Sequence, residues 1–229
     1  MNKLYISLSL FIFVACSPPN IPHEGLEEKE GLMYEIDSQV PYSGPYEFYS
    51  GRNGQLLESI GSYKEGLKDE LWKFYHDNGQ LKELGNYKKG NRNGPFEFYH
   101  DNGQLDTSGN FKDGIIEDGV WKFYYDNGQL KELGNYKNGN PNGPFEAYYD
   151  NGQLLNQGNF KDGKYHGTQT WFDHYGDLEL KTEYTNDKKH GWEISYYSDG
   201  SMKNVYCYEV GNYIKESEFC NGVPNPINK

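Results

Sequence analysis

The chain has 229 residues, among them 22 Tyr, 4 Trp and 28 Gly, and a formal net charge of −12. An acidic chain of this kind repels phosphate backbones, which excludes nucleic acid as a natural partner. Leu, Ile, Val and Phe occupy only 46 positions. Aliphatic packing is therefore thin, and regularly spaced aromatic residues must supply the rest of any core.

Residues 1–15 carry Lys3 and then an apolar run over 4–14, broken only by Ser7 and Ser9. The run is too short to span a bilayer and has the length of a signal-peptide core. It ends Phe13-Val14-Ala15-Cys16, which resembles the bacterial lipobox. That resemblance implies a signal peptide over 1–15, lipid on Cys16 and membrane attachment through that lipid. Each buried methylene of such a chain adds roughly 0.8 kcal/mol. Ser17 after the cysteine is similar to lipoproteins sent onward to an outer membrane, so the expected location is the bacterial cell envelope. The alternative is an ordinary cleaved signal with an incidental cysteine. Residues 16–30 are rich in Pro and Glu and read as a flexible tether.

From residue 31 to 222 the chain is repetitive. Residues 72–114 return over 121–163, with 35 of the 43 positions identical. Each copy contains two related halves. The turn glycines Gly54, Gly79, Gly103, Gly128, Gly152, Gly176 and Gly200 are spaced 25, 24, 25, 24, 24 and 24 residues apart. Five of them follow Asn, giving Asn78-Gly79, Asn102-Gly103, Asn127-Gly128, Asn151-Gly152 and Asn53-Gly54. Asn-Gly between alternating strands predicts hairpins with type I′ turns, in which both central residues take positive φ.

Period-two alternation precedes each turn, with Trp72 and Phe74 on one face and Lys73 and Tyr75 on the other. After the turn, Leu81, Gly85 and Tyr87 are expected to share a face, the glycine making room for a bulky neighbour. The predicted fold is all-β. It is an elongated, single-layer antiparallel meander of about seven two-stranded repeats of some 24 residues, twisted and open, with partial end units and a tail over 223–229. Cys207 and Cys220 flank the Gly211-Asn212 turn. They predict either a disulfide across a hairpin or two small buried thiols.

The pattern aromatic-x-x-Tyr-x-x-Asn-Gly-Gln-Leu followed by Gly-x-Tyr-Lys-x-Gly resembles the MORN repeat variant. With its opening GLMYEIDSQVPYSG, the stretch 31–222 is also similar to the bacterial YwqK-type family of antitoxins. The resemblance implies a sheet that binds proteins or membranes. Combined with the lipobox, it implies a role like that of an immunity lipoprotein whose toxin acts outside the inner membrane.

Catalytic motifs are missing from the sequence. The six His fall in no zinc-binding spacing, and neither a nucleophile elbow nor a phosphate loop occurs. Asp77-Asn78-Gly79 lacks the further oxygens of a calcium loop. No cofactor and no metal is expected. The row Trp72, Phe96, Trp121 and Phe145 reads as core, with a glycan platform as the alternative. The opposite row of Tyr49, Tyr75, Tyr99, Tyr124 and Tyr148 is the better candidate surface, since tyrosine offers area and a hydroxyl. Near-identical copies make an extended surface, not a convergent active site. The expected function is thus a non-enzymatic, envelope-anchored scaffold with a protein partner, as an antitoxin or immunity protein. A carbohydrate- or peptidoglycan-binding module is the alternative.

Overall fold

A computed structural model describes residues 21–22, 25–51, 54–214, 219–220, 223–224 and 226. The leader 1–15, Cys16 and Asn53 lie outside the described residues. The strands in chain order are β1 (Ile21–Pro22), β2 (Leu26–Lys29), β3 (Leu32–Glu35), β4 (Gly44–Ser50), β5 (Leu56–Lys64), β6 (Leu67–Tyr75), β7 (Leu81–Lys88) and β8 (Asn91–Tyr99). They continue as β9 (Leu105–Lys112), β10 (Ile115–Ile116), β11 (Gly119–Tyr124), β12 (Leu130–Lys137), β13 (Asn140–Tyr148), β14 (Leu154–Lys161), β15 (Lys164–Tyr165) and β16 (Gly167–Phe172). The last are β17 (Leu178–Thr185), β18 (Lys188–Tyr196), β19 (Met202–Glu209), β20 (Asn212–Ile214), β21 (Phe219–Cys220) and β22 (Val223–Pro224). No α-helix occurs among the described residues.

From β4 to β20 each strand pairs antiparallel with the next. β10 with β11, and β15 with β16, act as the two parts of one interrupted strand. The result is one open antiparallel meander, as the repeats predict. β1 adds to the β4 edge in parallel.

The sheet has a core because its rings lie over glycine. Trp72 is registered opposite Gly85, Gly85 opposite Phe96 and Phe96 opposite Gly109. The order recurs as Trp121, Gly134, Phe145 and Gly158. A Cβ added to Gly85 would stand 2.2 Å from the Phe96 ring, and one on Gly61 or Gly109 would stand 2.3 Å from Trp72 or Trp121. Trp72, Phe96 and Trp121 thus lie across the bare backbone of a neighbouring strand. Trp72 and Phe96 are 0% and 1% exposed. Neighbouring rings meet edge-on, as Tyr87 with Phe96 at 5.5 Å, Phe96 with Phe111 at 5.1 Å and Phe111 with Trp121 at 5.2 Å. Such contacts stabilise by about 0.5–1.5 kcal/mol each beyond area burial.

A backbone device aims the rings. Between the pairs Gly85–Phe96 and Tyr87–Arg92, the single residue Asn86 faces three residues of β8. Gly94, among those three, has φ 104°. The excess kinks the strand just before the aromatic, and bulges of this kind redirect the side chain that follows.

Three expectations need correction. First, Asn78, Asn102, Asn127 and Asn151 do not take positive φ; only the glycines after them do, as Gly79 at 81°. The amide of Gly79 donates to the His76 carbonyl and that of His76 to the Gln80 carbonyl, both at 2.8 Å. This is a three-residue loop closed by a glycine bulge. The type I′ geometry belongs to the other turns, such as Lys89-Gly90 (φ 50° and 80°) and Asp113-Gly114 (φ 50° and 84°). Second, Leu81 does not share a face with Gly85 and Tyr87. The register changes from Phe74–Glu83 to Tyr75–Leu81, leaving Lys82 unpaired, so Leu81 joins Tyr75 on the opposite face. Leu105, Leu130 and Leu154 follow suit opposite Tyr99, Tyr124 and Tyr148. Third, the flexible tether expected over 16–30 stops short of 30. Leu26–Lys29 pairs with Leu32–Glu35, and Leu26 is buried beside Tyr42, Tyr46 and Trp72.

At the far end the ring seats turn polar. Gln169, fully buried, lies over Gly158 and donates from Nε2 to the Asn159 carbonyl at 2.9 Å. Thr182 stands at the next glycine position and donates to Glu193 at 3.2 Å. Cys207 and Cys220 are joined, with S–S 2.07 Å. They do not face each other across one hairpin: Cys207 is opposite Ile214, and Cys220 belongs to the separate hairpin of β21 and β22. The bridge packs with Trp192.

Gly85 and Gly134 sit in identical local sequence, KELGNYK, yet a Cβ on Gly134 would meet nothing nearer than 3.7 Å. Gly85→Ala should cost about 2 kcal/mol or more by forcing the Phe96 ring off the sheet, whereas Gly134→Ala should stay within about 0.5 kcal/mol. Urea titrations of the two variants check this. Equal losses would remove the ring-over-glycine contact as the cause.

Candidate partner-binding faces

The first candidate is the face opposite the rings. Glu47, Ile60, Lys73, Leu84, Glu97, Ser108, Lys122, Leu133, Glu146, Gln157, Thr170 and Lys181 form one ladder of directly opposed residues across the sheet. From Glu47 to Glu146, strand spacing of about 4.8 Å puts the alternating charges roughly 10 Å apart, with an apolar or small residue between each two. That distance is close to the Debye length in physiological salt, so the pattern is a charge code facing solvent more than a set of ion pairs.

The five tyrosines named above flank this ladder on the same face. Tyr49 is 42% exposed, and the other four are half-buried. The phenols of Tyr49 and Tyr99 donate to Glu47 and Glu97 at 2.8 and 2.5 Å, and Tyr148 donates to Glu146. Tyr75 and Tyr124 stand instead two residues from Lys73 and Lys122. The row is therefore of two kinds: phenols committed to a carboxylate, and phenols whose strand neighbour on that face is a lysine.

The carboxylates leave a measurable mark. Burial, with Glu97 adding to it, pushes the Tyr99 phenol up to about 12. The Glu146 hydrogen bond, with burial adding, does the same for Tyr148. Both groups hold their proton more tightly when folded, so this contribution is intact below about pH 10. It is lost as pH rises through about 12. Ultraviolet titration should show these two phenols ionising late, and Glu97→Gln should bring Tyr99 down. An unmoved Tyr99 curve would remove Glu97 as a cause.

The second candidate is the edge formed by the Asn-Gly loops. The Asn78 Oδ1 accepts from the Gln80 amide at 2.9 Å, while its Nδ2 donates to the Asp101 carbonyl of the next loop at 2.5 Å. Asn102, Asn127 and Asn151 repeat this to Asp126, Asp150 and His174 at 2.6, 2.8 and 2.9 Å. Beside them His76 Nε2 lies 2.8 Å from the Tyr99 carbonyl, a contact that the Nε2–H tautomer makes. Tyr125 and Tyr149 hold the equivalent seat, donating to the carbonyls of Tyr148 and Phe172 at 2.8 and 3.0 Å. Gln80 also lies over Gly103, where a Cβ would stand 2.2 Å from Oε1. Asn, Gly and Gln are thus consumed in tying loop to loop, so this edge is structural.

The Trp72, Phe96, Trp121 and Phe145 row is 0–6% exposed. Rings so covered offer no face to a sugar. Among the described residues no group of three or more His, Cys, Asp or Glu is placed to hold a metal ion, and no helix is long and apolar enough to cross a membrane.

No curated protein matches the chain. The family model described as MORN repeat variant matches it four times in tandem, over residues 71–89, 92–113, 117–138 and 141–162, each match running from one ring-bearing strand through the loop to the strand after it.

Proposed function

We propose that this chain is a non-enzymatic scaffold, held at a bacterial envelope through lipid on Cys16, that binds a protein partner. The observation that carries this reading is the ladder of alternating charge with its flanking tyrosines, repeated at fixed pitch along an open sheet. A surface of this kind suits an extended partner that is read position by position. The resemblance to the YwqK-type antitoxins and the apolar leader ending at Cys16 together support an antitoxin or immunity lipoprotein. The ring row is covered, so the glycan-binding reading has no platform on that face.

Two measurements test this. Cys16→Ser should move the protein from the membrane fraction to the soluble fraction; retention in the membrane would remove the lipid anchor. A photo-reactive residue in place of Tyr124 should trap one protein at near-equal amount in living cells, while the same residue at the loop position Asp126 should not. Equal yields from both positions would count against the tyrosine face.

A further inference from the structure

The two long copies differ at eight positions, and two of those differences meet at one place. In the first copy Glu83 is bonded by Arg92 at 2.8 Å and by the Tyr87 hydroxyl at 2.8 Å. The Arg92 guanidinium carbon stands 5.3, 5.1 and 5.2 Å from the centres of Phe96, Phe98 and Phe111. A carboxylate and three rings thus hold one guanidinium, which is the arrangement that planar, weakly hydrated cation favours.

In the second copy the carboxylate is kept as Glu132, and two of the rings as Phe145 and Phe160. The arginine is replaced by Pro141, registered opposite Tyr136 as Arg92 is opposite Tyr87. Phe98 is replaced by Ala147, opposite Glu132 as Phe98 is opposite Glu83. The charge and the third ring are therefore both removed from above a carboxylate that stays. Among the described residues no ion pair or hydrogen bond reaches the Glu132 carboxyl. Its Oε1 instead stands 3.7 Å from where a Gly134 Cβ would be, over backbone that the aromatic ring covers in the first copy. Phe145 has turned toward Phe160, at 4.6 Å, and Tyr165, at 5.8 Å. Burial holds the Glu132 carboxyl above the usual range, with Lys131 partly offsetting it. A half-buried carboxylate without a partner is costly, and the first copy shows which group relieves that cost.

We infer that Glu132, Phe145, Phe160 and Tyr136 form a receptor for an arginine side chain supplied by a basic segment of a partner protein, in the seat that Arg92 fills from within the chain in the first copy. The net charge of −12 favours approach of such a segment. This deepens the scaffold reading and rests on it for the partner, although the site itself is testable alone.

The probe is the blocked peptide acetyl-Gly-Arg-Gly-amide, titrated into the protein and followed by NMR. Its citrulline and lysine counterparts serve as controls. The arginine peptide should shift resonances of Glu132 and Phe145 and bind at least tenfold more tightly than either control. Glu132→Gln should weaken it at least tenfold, and Glu83→Gln should leave it unchanged. Pro141→Arg with Ala147→Phe, which rebuilds the first copy, should abolish binding with the β-sheet circular dichroism intact. If that double variant does not fold, the two glutamine variants decide. Equal binding of the citrulline or lysine peptide, or no effect of Glu132→Gln, would overturn the assignment. Arginine binding with no partner trapped by the Tyr124 photo-probe would sustain this site and defeat the tyrosine-face scaffold instead.

Discussion

A ring lying flat across a neighbouring glycine is the contact on which the rest of this molecule depends. A one-layer sheet has no second layer to bury its apolar face. Here the aromatic side chain of one strand covers the bare backbone of the next, so each strand carries part of its neighbour's core. Phe96 above Gly85 and Trp121 above Gly109 show the requirement most clearly, since no side chain of any size fits beneath either ring. The kink at Gly94 follows from the same need, because a regular strand would point the ring straight out of the sheet.

That arrangement leaves the two faces with different work. One is given over mainly to packing, with lids such as Lys68 at 4.7 Å from the Trp72 ring and Arg92 among Phe96, Phe98 and Phe111, and it carries the proposed arginine seat at Glu132, where such a lid is missing. The other is free to carry alternating charge and tyrosine. The edge of Asn-Gly loops is knitted by amide side chains into a seam that fixes the spacing of successive repeats. The ends are closed by unlike devices. At the start Leu26 and Tyr42 pack against Tyr46 and Trp72. At the finish Trp192 and the Cys207–Cys220 bridge cover the opposite face. Each cap blunts an edge or face that would otherwise invite another strand.

Much of this is legible in the sequence because the repeat itself is the evidence. The hairpin order, the alternation of Trp72 with Lys73 and the placing of Gly85 beneath a large residue all follow from period and residue size. What stays hidden depends on the backbone or on distant partners. Asn78 reads as a residue chosen for positive φ, yet it is used for both ends of its amide. Leu81 reads as a member of the ring face, but an unpaired Lys82 moves it across the sheet. Leu26 looks like an isolated apolar residue in an acidic tether, and only the hairpin with Leu32–Glu35 explains its burial. The loss of an arginine and a ring beside Glu132 shows only when the two copies are compared strand by strand, where Ala147 stands opposite Glu132 and Pro141 opposite Tyr136.

The measurement that tests this account most directly is removal of residues 72–120, which fuses residue 71 to Trp121 and keeps the ring-over-glycine order. Small-angle scattering and circular dichroism on the shortened chain report shape and fold together. If neighbouring strands supply each other's core, the protein stays folded and its longest dimension falls by roughly 19 Å, four strands at about 4.8 Å each. Loss of all β-structure at room temperature would contradict it, because the array would then depend on a core shared across its whole length.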